Sequence, residues 1–209
     1  MENHTNKLYL YPVWIRIWHG LNALMFICLI VTGISMQYAS IENTSWLRFD
    51  RAVRIHNIAG ITLTINYLLF LLGNLLTING KQYKISFKNL ISRLTCQIKY
   101  YTFGIFKNEP PPFPVSKAEK FNPLQKLIYA TVMYVVVPVI FITGFGLLFP
   151  QILANKVFGV PGLFLNDFIH VIMGYFGSMF MVVHVYFCTI GAKFYSNFKS
   201  ILNGWHEAH

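Results

Sequence analysis

The stretch FIHVIMGYFGSMFMVVHVYFCTIGA (residues 168–192) contains no Asp, Glu, Lys or Arg. It exceeds the roughly 20 apolar residues that a helix needs to cross a bilayer. Only His170 and His184 interrupt it with a titratable nitrogen base. Three further stretches have the same character, at about 13–38, 57–79 and 127–149; the second and third carry no charged residue, and the first has only Arg16 at its margin. The first is too long for a typical signal-peptide core and lacks a small-residue cleavage site, so it reads as a retained helix. The expected fold is all-α: a polytopic membrane four-helix bundle forming one domain over residues 1–209, with a long loop at 80–121.

Composition agrees. Of 209 residues, 55% are apolar, 17% aromatic and only 11% charged, with mean hydropathy +0.50. Soluble domains average about 25% charged residues, so this chain has too few to wet a surface. Disorder and disulfide scaffolds are excluded. Cys28, Cys96 and Cys188 form no CxxC or CxxCH, which leaves zinc ribbons and covalent haem attachment without support.

The net charge of +10 first suggests an acidic partner such as nucleic acid. Position explains it differently. Thirteen Lys and Arg flank the two termini and the 80–121 loop, against four in the two other loops (Arg48, Arg51, Arg54 and Lys156). The positive-inside rule then places both termini and the long loop in the cytoplasm. The expected location is a bacterial cytoplasmic membrane, with lipid and no nucleic acid as partner.

Within the loop, residues 85–106 mix Phe87, Leu90, Ile91, Leu94, Ile98 and Tyr101 with Lys88, Arg93 and Lys99 at near-helical spacing. This predicts an amphipathic helix on the headgroups, followed by an extended EPPPFP connector (109–114). Pro138 is expected to kink the third span. Gly33, Gly60, Gly144, Gly146, Gly174 and Gly177 imply close helix packing or room for a flat cofactor.

His19, His56, His170 and His184 lie in or at the ends of spans, where ionisable groups are costly and usually functional. His170 and His184 are 14 residues apart, about 40° short of four full turns, and so share a face roughly 21 Å apart along the axis. With both termini inside, His19 matches His184 in depth and His56 matches His170. Two imidazoles at each of two depths suit bis-histidine ligation of two b-type haems. Zinc would need three or four converging ligands, and a proton relay would need carboxylates, of which only Asp167 comes near. Arg48, Arg51 and Arg54 at the outer mouth, and Arg16 near His19, can pair with haem propionates or act as loop and anchor charges. Trp14, Trp18, Tyr38 and Trp46 read mostly as an interface belt. His4, His206 and His209 belong to the tails.

Four segments, RIWHG (16–20), RIHNIAG (54–60), the His170/His184 pair and EKFNPLQKLIY (119–129), span nearly the whole chain. Through them the sequence resembles the cytochrome b subunits of nickel–iron hydrogenases, formate dehydrogenases and thiosulfate reductases, within the wider cytochrome b561-like superfamily. The resemblance implies an outer haem iron on His56 and His170 and an inner one on His19 and His184. It also implies a quinone site (menaquinone or ubiquinone) beside the inner haem at Asn122, Gln125 and Lys126. Asn122 before Pro123 is equally good helix-capping chemistry.

The implied function is a respiratory membrane anchor and electron-transfer subunit. It would link an extracytoplasmic partner, which carries the substrate chemistry, to quinone. A stand-alone di-haem cytochrome b561 and a haem-free anchor or transporter are the alternatives. The donor or acceptor and the direction of flow are not encoded here.

Overall fold

The computed structural model describes residues 7–39, 47–191 and 193–207; Trp46, His4, His209 and Ala192 lie outside the described residues. Four helical stretches are long and apolar enough to span a membrane: α1 (Val13–Gln37), α2 (Phe49–Leu76), the stretch Pro123–Leu148, and α6 (Gly162–Cys188). The shorter helices are α3 (Leu90–Lys99), α4 (Pro123–Thr131), α5 (Val137–Leu148) and α7 (Ser196–Asn203).

The helix ends differ from the hydropathy boundaries for a physical reason. Hydropathy marks the part of a helix that lipid can cover, whereas hydrogen bonding carries the helix further. Thus α2 starts at Phe49 and takes in Asp50, Arg51 and Arg54. Likewise α6 starts at Gly162, and its polar Asn166 donates to the Thr143 carbonyl at 2.8 Å.

The third span stays helical from Pro123 to Leu148 around Pro138. A π-helical turn at Val132–Val136 separates α4 from α5, and Pro138 lies in the first turn of α5. Proline has no N–H to give the preceding turn, and a π turn absorbs that mismatch.

The residues group into two compact units: Met1–Arg16, Gly73–Tyr134 and Val183–His209 form the first, and Ile17–Leu72 with Val135–Val182 form the second. In the first unit the two ends of the chain pair as antiparallel strands, β1 (Lys7–Tyr9) with β4 (Trp205–Glu207). Tyr9 packs on Trp205 at 5.2 Å. Gly204 has φ +89 and accepts the Leu10 N–H at 2.9 Å, so its backbone both ends α7 and anchors the N-terminal strand.

The expected loop helix is present as α3, a π turn at Tyr100–Gly104 and a 3-10 turn at Ile105–Lys107. Its Phe87, Ile91, Phe103 and Phe106 side chains are exposed, whereas Gln97 is buried. Proline-rich 109–114 forms no helix or strand, and Arg93 sits over the Phe113 ring at 5.5 Å. Gln82 fixes the following segment by donating to the Ala118 carbonyl (3.2 Å) and accepting the Lys120 N–H (2.9 Å).

In the second unit Trp18 does more than the expected interface belt. Its indole N–H donates to the Asn66 carbonyl at 3.1 Å, the Asn66 amide donates back to the Trp18 carbonyl at 3.2 Å, and its ring stacks on fully buried Phe70 at 4.4 Å. A buried indole needs a partner for its N–H, and Asn66 supplies it. Packing also accounts for Gly146, Gly177 and Gly60, which face Asn166, Phe26 and Leu29.

A hairpin of β2 (Lys156–Val157) and β3 (Val160–Pro161) leads into Gly162. A Cβ on Gly162 would lie 1.8 Å from the Ala154 carbonyl oxygen, a backbone atom that cannot swing aside. Gly162→Ala is expected to lower stability by roughly 1–3 kcal/mol, read as an earlier thermal unfolding midpoint in detergent.

Candidate histidine sites

His56 on α2 and His170 on α6 come together in the second unit, with ring centres 6.3 Å apart and planes at 71°. Each has a threonine behind it. Thr32 Oγ1 is 2.9 Å from His56 Nδ1, and Thr143 Oγ1 is 2.9 Å from His170 Nδ1. Each threonine is followed by glycine. A Cβ on Gly33 would lie 3.7 Å from His56 Cε1, and one on Gly144 would lie 3.2 Å from His170 Cε1. Gly144 therefore gives the His170 ring room, whereas a Cβ at Gly33 would only touch the His56 ring at ordinary contact distance.

The ring spacing distinguishes among metal geometries. Two imidazoles bonded through nitrogen at about 2.0–2.1 Å on opposite sides of one metal have ring centres about 6.3–6.4 Å apart, against about 5.2 Å at a tetrahedral angle. The observed separation matches the first. Among the described residues no three His, Cys, Asp or Glu side chains cluster as zinc would require. Two imidazoles at this spacing with no carboxylate are a fitting donor set for a bis-histidine haem iron.

His184 lies in the first unit. Its Nδ1 is 3.3 Å from the Tyr129 hydroxyl and its Nε2 is 3.8 Å from Cys188 Sγ. His19 lies in the second unit, beside Trp18 at 6.4 Å between ring centres. Arg16 donates to the Leu202 carbonyl, and its Nε is buried without a partner. Arg48 pairs with Asp50 at 3.2 Å in the open. Arg51 and Arg54 are exposed in the early turns of α2.

The NPLQK segment is held firmly. Asn122 Oδ1 accepts the Gln125 N–H at 2.9 Å, and Gln125 Oε1 accepts the Asn122 N–H at 3.3 Å. This reciprocal capping box is the helix-start chemistry that the sequence allowed. Asn122 also donates to the Tyr101 hydroxyl at 2.7 Å, and Lys126, almost fully buried, pairs with Glu119.

Sequence reasoning missed Thr32, Thr143 and Tyr129. One signal was available: the dipeptide Thr-Gly occurs at 32–33 and again at 143–144.

Around this segment the phenols avoid ionisation. Burial pushes Tyr11 up to about 12, with Cys188 nearby adding to it, and burial raises Tyr83 and Tyr101 as well. Burial also lowers Lys120, whose ammonium donates to Asn79 Oδ1 at 3.3 Å.

A family model described as prokaryotic cytochrome b561 matches residues 10–204. The protein named "Putative cytochrome YdhU" of Escherichia coli (strain K12) is 34% identical over 205 residues, covering 98% of this chain and 77% of that protein.

The raised phenols have a consequence for stability. An unfolded tyrosine titrates near pH 10, so the stabilisation from keeping these three neutral is complete below that pH. It is lost as pH rises through the folded values, about 12 for Tyr11. In a phenolate absorbance titration, Tyr11, Tyr83 and Tyr101 are expected to ionise only with alkaline unfolding. Tyr11→Phe should remove one of the late-titrating groups.

Proposed function

Because the chain belongs to the prokaryotic cytochrome b561 family of haem-binding membrane proteins, we propose that it is the membrane subunit through which electrons move between an extracytoplasmic partner and the quinone pool. Its setting is the bacterial inner membrane, which it crosses several times. Two b haems would be held by His56 with His170 and by His19 with His184. Iron held by two neutral imidazoles supplies one-electron chemistry with no open coordination position.

The observation that carries this reading is the 6.3 Å separation of the His56 and His170 rings, each backed by a threonine hydroxyl. The second pair rests on the depth match in the sequence and on the family resemblance. The apolar helices exclude water from the imidazoles. The buried, unpartnered Nε of Arg16 suits a propionate of the inner haem, and exposed Arg51 and Arg54 suit those of the outer haem or an acidic patch on the partner. Both termini and the basic loop would face the cytoplasm, which puts the Asn122, Gln125 and Lys126 segment on that side as the quinone end. Its capped, ion-paired side chains make it a rigid wall on which a quinone carbonyl can find a donor.

Pyridine haemochrome analysis of the purified protein tests the reading: two b haems per chain are expected, and fewer than two would sink it. His184→Ala and His170→Ala should each remove one haem and leave the other. Equal loss of both from either variant would break the depth pairing. A larger subunit should co-purify; a fully active chain without one would favour a stand-alone cytochrome.

A second prediction concerns the quinone end. Gln125→Ala should slow quinol-linked reduction of the haems several-fold while leaving the haem content intact. Unchanged turnover would place the quinone elsewhere.

A further inference from the structure

Thr32 and Thr143 are almost fully buried, at 2% and 6% exposure. Each hydroxyl has one hydrogen, and a backbone acceptor claims it. Thr32 Oγ1 is 2.6 Å from the Cys28 carbonyl oxygen, and Thr143 Oγ1 is 2.7 Å from that of Val139. A carbonyl only accepts, so the hydroxyl donates there and turns its oxygen towards the imidazole. The short contact to Nδ1 is then satisfied only if Nδ1 carries the hydrogen and donates it to threonine.

The two threonine oxygens thus agree on one tautomer, one at each histidine: hydrogen on Nδ1, lone pair on Nε2. Other threonines in the chain also bond backward to a carbonyl, among them Thr64 to Gly60, Thr95 to Ile91 and Thr102 to Ile98. That contact alone is ordinary helix chemistry. Thr32 and Thr143 differ in facing a histidine from another helix and in preceding a glycine that lies against that ring. The arrangement occurs twice, once between α1 and α2 and once between α5 and α6, so the site has an approximate internal repeat.

We propose that Thr32 and Thr143 are positioning residues that fix the tautomer and electron-donating strength of the two histidines, and thereby hold down the reduction potential of the outer haem. The inference rests on the reading that His56 and His170 are the ligands of that iron. A donated Nδ1–H makes the opposite nitrogen more basic. The chain of imidazole N–H, threonine O–H and backbone carbonyl strengthens each link by polarisation. A more basic axial nitrogen favours the oxidised iron, which lowers the potential.

The test uses the full-length protein with its haems, as isolated, with Thr32→Val and Thr143→Val as shape-matched variants lacking the hydroxyl. Thr32→Ser and Thr143→Ser restore it. Haem content is measured first, then the two midpoint potentials by optical redox titration. Each valine variant is expected to keep both haems and shift one potential upward while the other stays in place. The double variant should shift it further, and the serine variants should return it to the wild-type value.

Loss of one haem in the valine variants with recovery in serine also supports the proposal. Unchanged potentials in both valine variants would overturn it, and so would equal loss of haem in valine and serine variants. If His56→Ala and His170→Ala instead retain both haems, the ligand assignment fails, and the proposal fails with it.

Discussion

An imidazole at membrane depth has an N–H that lipid cannot satisfy, and each such group left unpaired costs several kcal/mol. Much of the second unit follows from that constraint. His56 and His170 need acceptors, and Thr32 and Thr143 supply them across helix pairs. Beside Thr143, Gly144 leaves no Cβ to crowd the His170 ring. The same rule governs Trp18 and Asn66, which exchange hydrogen bonds with each other's backbone. Each polar pair fixes the rotation of one helix against its neighbour, which apolar packing among Leu, Ile and Val specifies poorly in lipid.

In the first unit the same accounting works through loops. Gln82 bonds two backbone groups of residues 118–120, which places Glu119 to meet Lys126 and positions Asn122 to cap α4. Tyr101, from the turn after α3, reaches the same Asn122. An amphipathic segment and a proline-rich connector are thereby tied to the start of the third span. The buried phenols stay neutral because the loss of water outweighs the hydrogen bonds they receive, such as that from Asn122 to Tyr101.

Hydropathy made the four spans legible, because a run without charges is a statement about solvent that needs no partner. It did not give the helix ends: Asp50, Arg51 and Arg54 are unwelcome in lipid yet comfortable in a helix that protrudes from it. The four histidines stood out as rare, costly groups at related depths. Their threonines did not, because a threonine in a membrane helix satisfies itself on the carbonyl four residues back, and its sequence neighbours give no sign of a partner 24 or 27 residues away. The cap at Asn122 was readable because all its parts lie within four residues. Pairing between Lys7–Tyr9 and Trp205–Glu207 was not, since three-residue strands carry too little pattern to announce a contact across the whole chain. Trp18 looked like an interface residue because composition cannot distinguish a ring at the headgroups from one stacked on Phe70.

The two histidine surroundings differ in a way that matters to the proposed conduit. If all four ligands are histidine, ligand identity cannot separate the two haems in potential, and hydrogen bonding behind the rings joins burial and nearby charge as a remaining lever. Behind His56 and His170 are aliphatic hydroxyls already committed to carbonyls, which can act towards the rings only as acceptors. Beside His184 are a phenol and a thiol, groups that can donate as well as accept. Under the proposed ligation, acceptors behind the His56 and His170 rings favour oxidised iron there, and that bias belongs to the threonines rather than to the histidines themselves.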